Sequence, residues 1–346
     1  MIYFNSDYLE GAHPSVMVRL AETNMAQTVG YGEDEYCEAA REKIKAACRA
    51  PEADVHFLVG GTQTNTTVIA AILRPWQGVL SAVSGHINCH EAGAIESTGH
   101  KVITLPTSNG KITAQQVRDY VEWHKNDEST EHIVQPGMVY ISHPTEGGTL
   151  YSKAELTALY DTCREYGLPL FIDGARLGYG LMADGTDLTL PEVAHLCDIF
   201  YIGGTKVGAL FGEAVVIMNE KLKKDFRFMM KQRGGRMAKG RLLGIQFDAL
   251  FTDDLYFKIS RHAIEMAHQI RDIFVSAGYP LLFDSPTNQQ YPIMSDDELA
   301  ILGKSFGYEY WERVDETHSG VRFCASWATK QEHVDALRAA VNALKK

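Results

Sequence analysis

Short apolar runs alternate with helical patterns through most of the chain, and this alternation limits the possible folds more than any other feature. Helices are predicted between the runs, and the helix over 152–166 opens with Ser152 and Glu155 at the spacing of a capping box. Such alternation predicts an α/β protein with a mainly parallel sheet covered by helices on both faces. The predicted strands are residues 55–59, 79–82, 102–105, 138–142, 170–172, 199–202 and 213–218.

The pattern changes after about residue 253. A long amphipathic helix is predicted over 255–276, followed by short strands at 290–294 and 320–325 and a closing helix over 330–344. A length of 346 residues suits two domains. We therefore expect a large α/β domain over 1–253 and a smaller α+β domain over 254–346.

The charge balance excludes several classes of partner. The formal net charge is −11, whereas a nucleic-acid or anionic-membrane surface needs a basic face. The first residues lack a signal-peptide pattern, and no apolar stretch is long enough to span a membrane. Six scattered cysteines without a C-x-x-C pair indicate reduced thiols. A cytoplasmic protein is expected.

Ligands of open α/β sheets bind where the parallel strands end, so the residues after each strand are the candidates. Gly60-Gly61-Thr62-Gln63-Thr64-Asn65 follows the first strand and leads into a helix predicted over 65–73. Glycines and a helix N-terminus form a cradle for an anion such as phosphate. A plain strand-to-helix turn is the alternative.

Asp173-Gly174-Ala175-Arg176 follows another buried strand. A buried acid needs a cation, which is either Arg176 itself or a cationic atom of a ligand. Gly203-Gly204-Thr205-Lys206-Val207-Gly208 follows the next strand. A lysine set among glycines and apolar residues is either an exposed loop residue or a desolvated nucleophile for Schiff-base chemistry.

Taken together, the three features match what pyridoxal 5′-phosphate requires. The acid pairs with the pyridine nitrogen, the lysine holds the aldehyde as an imine, and the cradle holds the phosphate.

The order GGTQTN, GHINCHEAGA, DGARLG and GGTKVGALFG resembles the threonine aldolase and aromatic amino acid β-eliminating lyase family. These are pyridoxal-phosphate enzymes of fold type I, similar to aspartate aminotransferase. The resemblance extends from Ser6 to about Arg322 and includes the segment from Tyr31 to Asp34. It implies a large domain with a mostly parallel seven-stranded sheet, a small C-terminal α+β domain, and a homodimer or homotetramer with shared active sites.

The resemblance also implies a role for each matching residue. Lys206, Asp173 and His86 are the implied catalytic residues: Lys206 forms the Schiff base, Asp173 pairs with the pyridine nitrogen, and His86 stacks on the ring. The residues implied to bind the cofactor are Gly61, Thr62, His86, Asp173, Arg176, Thr205 and Lys206, and those implied to bind the substrate are Ser6, Arg176, Arg322 and Tyr31.

The implied reaction is retro-aldol cleavage of a β-hydroxy-α-amino acid, of the L-threonine or L-allo-threonine type, to glycine and an aldehyde. His86, directly or through water, takes the β-hydroxyl proton. The alternative is β-elimination to ammonia and a keto acid, with Lys206 as the base.

Two segments depart from the family pattern. Ser142-His143-Pro144-Thr145-Glu146 stands where Glu-Asn-Thr-His is common, so Thr145 occupies the histidine position, and His143, Glu146 or His86 alone takes over its role. The family segment Gly-Gly-Gly-Met-Arg-Gln is replaced here by Gly234-Gly235-Arg236-Met237-Ala238-Lys239. The arginine of that segment, which lies on the phosphate side of the site, is replaced by Lys239, Arg236 or Arg241.

Four residues of types that bind metals lie close together in the sequence: His86, Cys89, His90 and Glu91. Their spacing matches neither H-E-x-x-H nor a zinc finger, and ring stacking by His86 is preferred. No metal is therefore expected.

Overall fold

A computed structural model describes residues 1–345 of the chain. Its strands are β1 Ile2–Tyr3, β2 Asp54–Leu58, β3 Gln77–Ala82, β4 Val102–Leu105, β5 Gln135–Ser142, β6 Leu170–Asp173, β7 Ile199–Gly203, β8 Glu213–Ile217, β9 Gln289–Gln290, β10 Ile293–Ser295, β11 Phe306–Gly307, β12 Glu309–Arg313 and β13 His318–Cys324.

The helices cover the sheet and connect its strands. They are α1 Pro14–Thr23, α2 Glu35–Cys48, α3 Gly61–Ile72, α4 His86–Cys89, α5 Ala114–Asn126, α6 Lys153–Tyr166, α7 Leu177–Met182, α8 Leu190–His195, α9 Glu220–Lys223, α10 Phe226–Gln232, α11 Arg241–Leu250, α12 Leu255–Ser276, α13 Asp296–Leu302 and α14 Gln331–Leu344.

Seven strands form the central sheet in the order β2-β8-β7-β6-β5-β3-β4. Six of them run in one direction, and β8 is antiparallel to both of its neighbours. Successive residues face opposite sides, so Phe171 and Ile172 enter separate cores on the two faces. The expected α/β fold with a mostly parallel seven-stranded sheet is confirmed.

A further core lies between α12, α13, α14 and the strands near the C-terminus, and Phe4 also belongs to it. The N-terminal strand β1 pairs in parallel with β11. Helix α12 contributes Ile259 to the core of the large sheet and Ile270 to the C-terminal core. The division at 253/254 remains a proposal, and α12 packs on both sides of it.

Local sequence signals predicted most of the helices and strands of the large sheet and its covering layers. The capping box predicted at Ser152 is present, and Thr113 caps α5 in the same way. Helix α3 begins at Gly61, earlier than the expected start at residue 65, because Gly60 in extended conformation serves as its N-cap. In the part of the chain that the structure describes, no helix has the length and apolar character needed to cross a membrane.

Candidate active site

A cavity of about 230 Å³, here called the central cavity, lies at the carboxyl ends of the parallel strands. Residues from the large sheet, the N-terminal segment and the C-terminal strands meet in its wall. It is lined by Tyr8, His86, His90, Glu146, Arg176, Lys206, Glu309, Trp311 and Arg322. Four of these residues were predicted as site residues from the sequence, namely His86, Arg176, Lys206 and Arg322, and Glu146 was a candidate for the role of the loop histidine.

Asp173 ends β6 and is almost completely buried. Its carboxylate accepts hydrogen bonds from Tyr140 Oη at 2.6 Å, from Tyr201 Oη, from Asn65 Nδ2 at 3.1 Å and from the Ala175 amide at 3.0 Å. Burial alone would raise the pKa of this carboxyl, but the nearby His86 and the two phenol hydroxyls lower it below its ordinary value. Asp173 is therefore a buried anion.

Arg176 does not neutralise Asp173. Its Nε and Nη2 donate to the two carboxylate oxygens of Asp7 at 2.7 and 2.9 Å, and Asn288 Nδ2 donates to Asp7 Oδ2 at 2.9 Å. Of the two interpretations of Asp173, pairing with Arg176 is thus excluded. Asp173 forms no salt bridge with residues 1–345, so its carboxylate can pair with a cationic ligand atom in addition to the nearby charge of His86.

Lys206 follows β7 and lines the central cavity. Burial, and then the positive charge of Arg176, lower the pKa of its ammonium group, although Asp7 and Asp173 oppose this. The exposed-loop interpretation is therefore wrong. A desolvated lysine with a lowered pKa is a good amine nucleophile.

His86 begins the short helix α4 beyond β3 and is held by a buried hydrogen-bond chain. Its Nδ1 lies 2.9 Å from Glu91 Oε1, which also accepts from Asn65 Nδ2 at 2.7 Å. Burial lowers the pKa of His86, but the bond to Glu91 and the charge of Asp173 outweigh it and raise the pKa. Because Asn65 bonds both carboxylates, it fixes His86 relative to Asp173.

The first turn of α3 lies beside this network. A Cβ on Gly61 would lie 3.2 Å from Tyr201 Oη, and Gly60 caps the helix without a side chain. Free amide N–H groups of Gly61 and Thr62 at the start of a twelve-residue helix suit a phosphate. The Thr205 hydroxyl already has protein partners: its Oγ1 accepts from the Gly212 amide at 2.9 Å, and it forms a hydrogen bond with Glu213.

Arg322 on β13 enters the central cavity from the C-terminal part of the chain. Its Nη1 donates to Gln289 Oε1 at 2.9 Å, its Nη2 contacts Glu309 and the backbone oxygen of Asn5, and its guanidinium lies over the ring of Trp311. The neighbouring Ser6 is buried, and its hydroxyl has no partner among the described residues. The Ser6 hydroxyl is therefore available to a carboxylate, whereas a carboxylate that binds Arg322 has to compete with Glu309.

The loop after β5 contains Thr145, which stands at the position of the loop histidine, and His143 and Glu146, the two loop candidates for its role. His143 is buried against Tyr151, and desolvation lowers its pKa to about 4. Thr145 Oγ1 bonds Thr149 Oγ1 at 2.7 Å. Glu146 is the one of the three that lines the central cavity.

Tyr31 lies outside the central cavity of its own chain. It is half-exposed, and Lys231 Nζ lies 4.9 Å from its ring centre. A role for Tyr31 in a neighbouring subunit remains a proposal.

Two of the candidates for the cation beside the phosphate bond groups of the protein. Arg236 pairs with Glu33, and Arg241 donates to backbone oxygens of the α1–α2 connection.

The residues that sequence reasoning did not identify act mostly as partners of those it did. Asp7 was visible beside Ser6 but was given no role. Asn65 stood at the end of the GGTQTN run, and Tyr140 and Tyr201 appeared only as strand residues. Glu91 was considered only as a metal ligand, and within residues 1–345 no group of three His, Cys, Asp or Glu side chains is arranged to hold a metal ion.

Comparison with known proteins gives consistent matches. The family model described as β-eliminating lyase matches residues 4–338. The low specificity L-threonine aldolase of Pseudomonas aeruginosa is 29% identical over 337 residues, which cover 96% of this chain and 95% of that protein. A solved structure of Leishmania major threonine aldolase is 42% identical, covers all of both chains and superposes with a TM-score of 0.97. The aspartate aminotransferase of Thermus thermophilus shares the fold at 15% identity, with a TM-score of 0.71 over 100% of this chain and 91% of that one, as expected for fold type I.

Proposed function

The chain belongs to the β-eliminating lyase family, and from this membership we propose that it is a pyridoxal-phosphate-dependent lyase. It cleaves β-hydroxy-α-amino acids of the L-threonine or L-allo-threonine type to glycine and an aldehyde. Similarity to threonine aldolases over nearly the whole chain supports this reaction.

One observation carries the proposal. The buried, ionised Asp173 has no salt-bridge partner in the described chain, and the desolvated Lys206 lies at the end of the next strand. A buried carboxylate without a cation is costly unless a ligand supplies one. A protonated pyridine nitrogen at Asp173 and an aldehyde at Lys206 meet both conditions, and the start of α3 is suited to the phosphate. The site therefore fits pyridoxal phosphate.

When bound, the cofactor supplies an electron sink for the pair left on Cα after cleavage. The chain's own residues orient the substrate. Arg322 and Ser6 bind its carboxylate, while Arg176, engaged by Asp7, contributes positive charge at the same wall. His86, held by Glu91, would contact the ring of the cofactor.

Two further features belong to this proposal. Tyr31 reaches a neighbouring subunit's site in a homodimer or homotetramer, which its exposed ring beside Lys231 would allow. A cytoplasmic location is supported by the six cysteines, all of which are free thiols.

A product assay tests the reaction. The purified protein with pyridoxal phosphate is incubated with L-threonine, L-allo-threonine and phenylserine, and glycine, aldehyde, ammonia and keto acid are quantified. Glycine and aldehyde in equal amounts are expected. Ammonia with a keto acid would instead assign the chain to β-elimination, with Lys206 as the base.

A further inference from the structure

A second cavity adjoins the central cavity, and the residues between the two reveal where the reacting bond must lie. This side cavity has a volume of about 340 Å³ and is lined by Cys89, Ser108, Asn109 and Phe283, among others. His90, Glu146 and Trp311 line both cavities. They form the wall that separates the two spaces.

The position of the substrate follows if the proposed function holds, and this inference rests on it. The amino group lies at Lys206 and the carboxylate at Arg322, both in the central cavity. The side chain on Cβ then points into the side cavity, which has room for it. The Cβ hydroxyl is thereby placed at the shared wall of His90, Glu146 and Trp311.

Of the groups near that hydroxyl, few can take its proton. The Trp311 indole is a donor only. His86 bonds the carboxylate of Glu91, which favours its protonated form, and a protonated imidazole is not a base. His90 is exposed, and its ring packs against that of His86 at 5.7 Å between ring centres, but its ring nitrogens have no hydrogen-bond partner within residues 1–345 that would aim one of them at the hydroxyl.

Glu146 is fixed in position. Its Oε1 accepts from Ser142 Oγ at 2.6 Å and from the His86 amide at 3.0 Å, while no donor within the described chain is bonded to Oε2. Burial raises the pKa of this carboxyl, which makes the carboxylate a stronger base than an exposed one. One oxygen thus anchors the side chain and the other is available to the substrate.

We propose that Glu146 is the catalytic base that removes the β-hydroxyl proton during cleavage of the Cα–Cβ bond. The proton moves to Glu146 Oε2, and the O–H bonding pair becomes the second C–O bond of the aldehyde. The Cα–Cβ pair remains on Cα, which then takes up a proton to give glycine. Glu146 then releases its proton to water, the proton taken up at Cα does not come from Glu146, and no other reactant is consumed.

The test compares two reactions of the holoenzyme. Glu146→Gln is expected to lower kcat for cleavage of L-threonine or L-allo-threonine by about 100-fold or more, the usual range for loss of a general base. Exchange of the glycine Cα proton with D₂O needs no hydroxyl deprotonation, so it should stay within about threefold of the wild type. The affinity of the apoprotein for pyridoxal phosphate, measured by absorbance titration, should also be unchanged.

Glu128→Gln is the matched control, because Glu128 is exposed and lines neither cavity. It should leave both reactions unchanged. If Glu146→Gln does not accumulate as folded protein, Glu146→Asp takes its place, since a displaced carboxylate should slow cleavage selectively.

Two outcomes would overturn the assignment of Glu146. One is a variant that still cleaves within threefold of the wild type, and the other is an equal loss of cleavage and glycine exchange. If the wild-type protein cleaves no β-hydroxy-α-amino acid, the proposed function itself is refuted. This outcome needs only the wild type, so it is distinct from a failure of the Glu146 assignment.

Discussion

The buried ion pair between Asp7 and Arg176 should contribute strongly to stability, and Asp7→Asn tests this. The Asp7 side chain is fully buried, and the Arg176 side chain is 13% exposed. Burial alone would raise the pKa of Asp7, but Arg176, Lys206 and Asn288 lower it from 3.8 to about 2. That difference corresponds to about 2 kcal/mol of folding free energy. Loss of one partner from a buried pair costs about 3–5 kcal/mol. We therefore expect a loss of between about 2 and 5 kcal/mol at pH 7.

The stability that the Asp7 carboxylate contributes depends on pH in a definite direction. Because the folded-state pKa of Asp7 is below the unfolded value, the stabilisation is complete above about pH 4 and is lost as the pH falls toward 2. The free-energy gap between wild type and Asp7→Asn should thus be constant from pH 7 to 5. It should narrow below pH 4, because the Asp7 carboxyl of the unfolded wild type takes up a proton there while that of the folded protein stays ionised down to about pH 2.

Urea unfolding followed by tryptophan fluorescence, with equal cofactor in both samples, measures the gap. Asp296→Asn is the control, since Asp296 pairs with Arg313 at 2.7 Å but both side chains are about half exposed, and a much smaller loss is expected. The reasoning fails if Asp7→Asn loses no more stability than Asp296→Asn, or if the gap stays the same down to pH 3.

Three further predictions concern the site. Lys206→Ala, purified with pyridoxal phosphate, should lose the visible absorbance of the bound cofactor after gel filtration, and an unchanged spectrum would exclude Lys206 as the attachment point. Glu309→Gln should lower KM for the amino acid by about threefold to tenfold with little change in kcat, because Glu309 competes with the substrate carboxylate for Arg322; a raised KM would mean that Glu309 orients Arg322 instead. A thiol reagent should label one cysteine per native chain, because Cys89 is exposed and the other five are buried, and Cys89→Ser should abolish the labelling.

The sheet could be predicted from the sequence because each buried strand carries its own signal. Residues 170–172 and 199–202 are continuous apolar runs, as expected for strands covered on both faces. The residues that follow them, Asp173 and Lys206, were found for the same reason: the ends of parallel strands meet at one edge. The start of α3 was placed too late because the polar run after Gly60 lacks an apolar stripe.

Long-range partners could not be predicted in this way. Arg176 and Asp7 are 169 positions apart, and no local pattern pairs them. Arg176 was therefore expected either to pair with Asp173 or to bind a ligand, whereas two of its nitrogens bond the carboxylate of Asp7. Glu309 and Trp311 reach the central cavity from a strand that is mostly exposed, and nothing in their spacing distinguishes them from surface residues.

The N-terminal segment explains how the two arginines come to share one cavity. Phe4 packs in the C-terminal core and its carbonyl accepts from the Cys324 amide, while the Asn5 carbonyl accepts from Arg322. Two residues later, Asp7 holds Arg176, which lies beside the large sheet. The four consecutive positions from Phe4 to Asp7 therefore connect the C-terminal strands to the end of β6, and a shift of this segment would move both guanidinium groups. Substitutions at Asp7 should on this ground alter substrate affinity as well as stability, even though Asp7 itself bonds only protein groups.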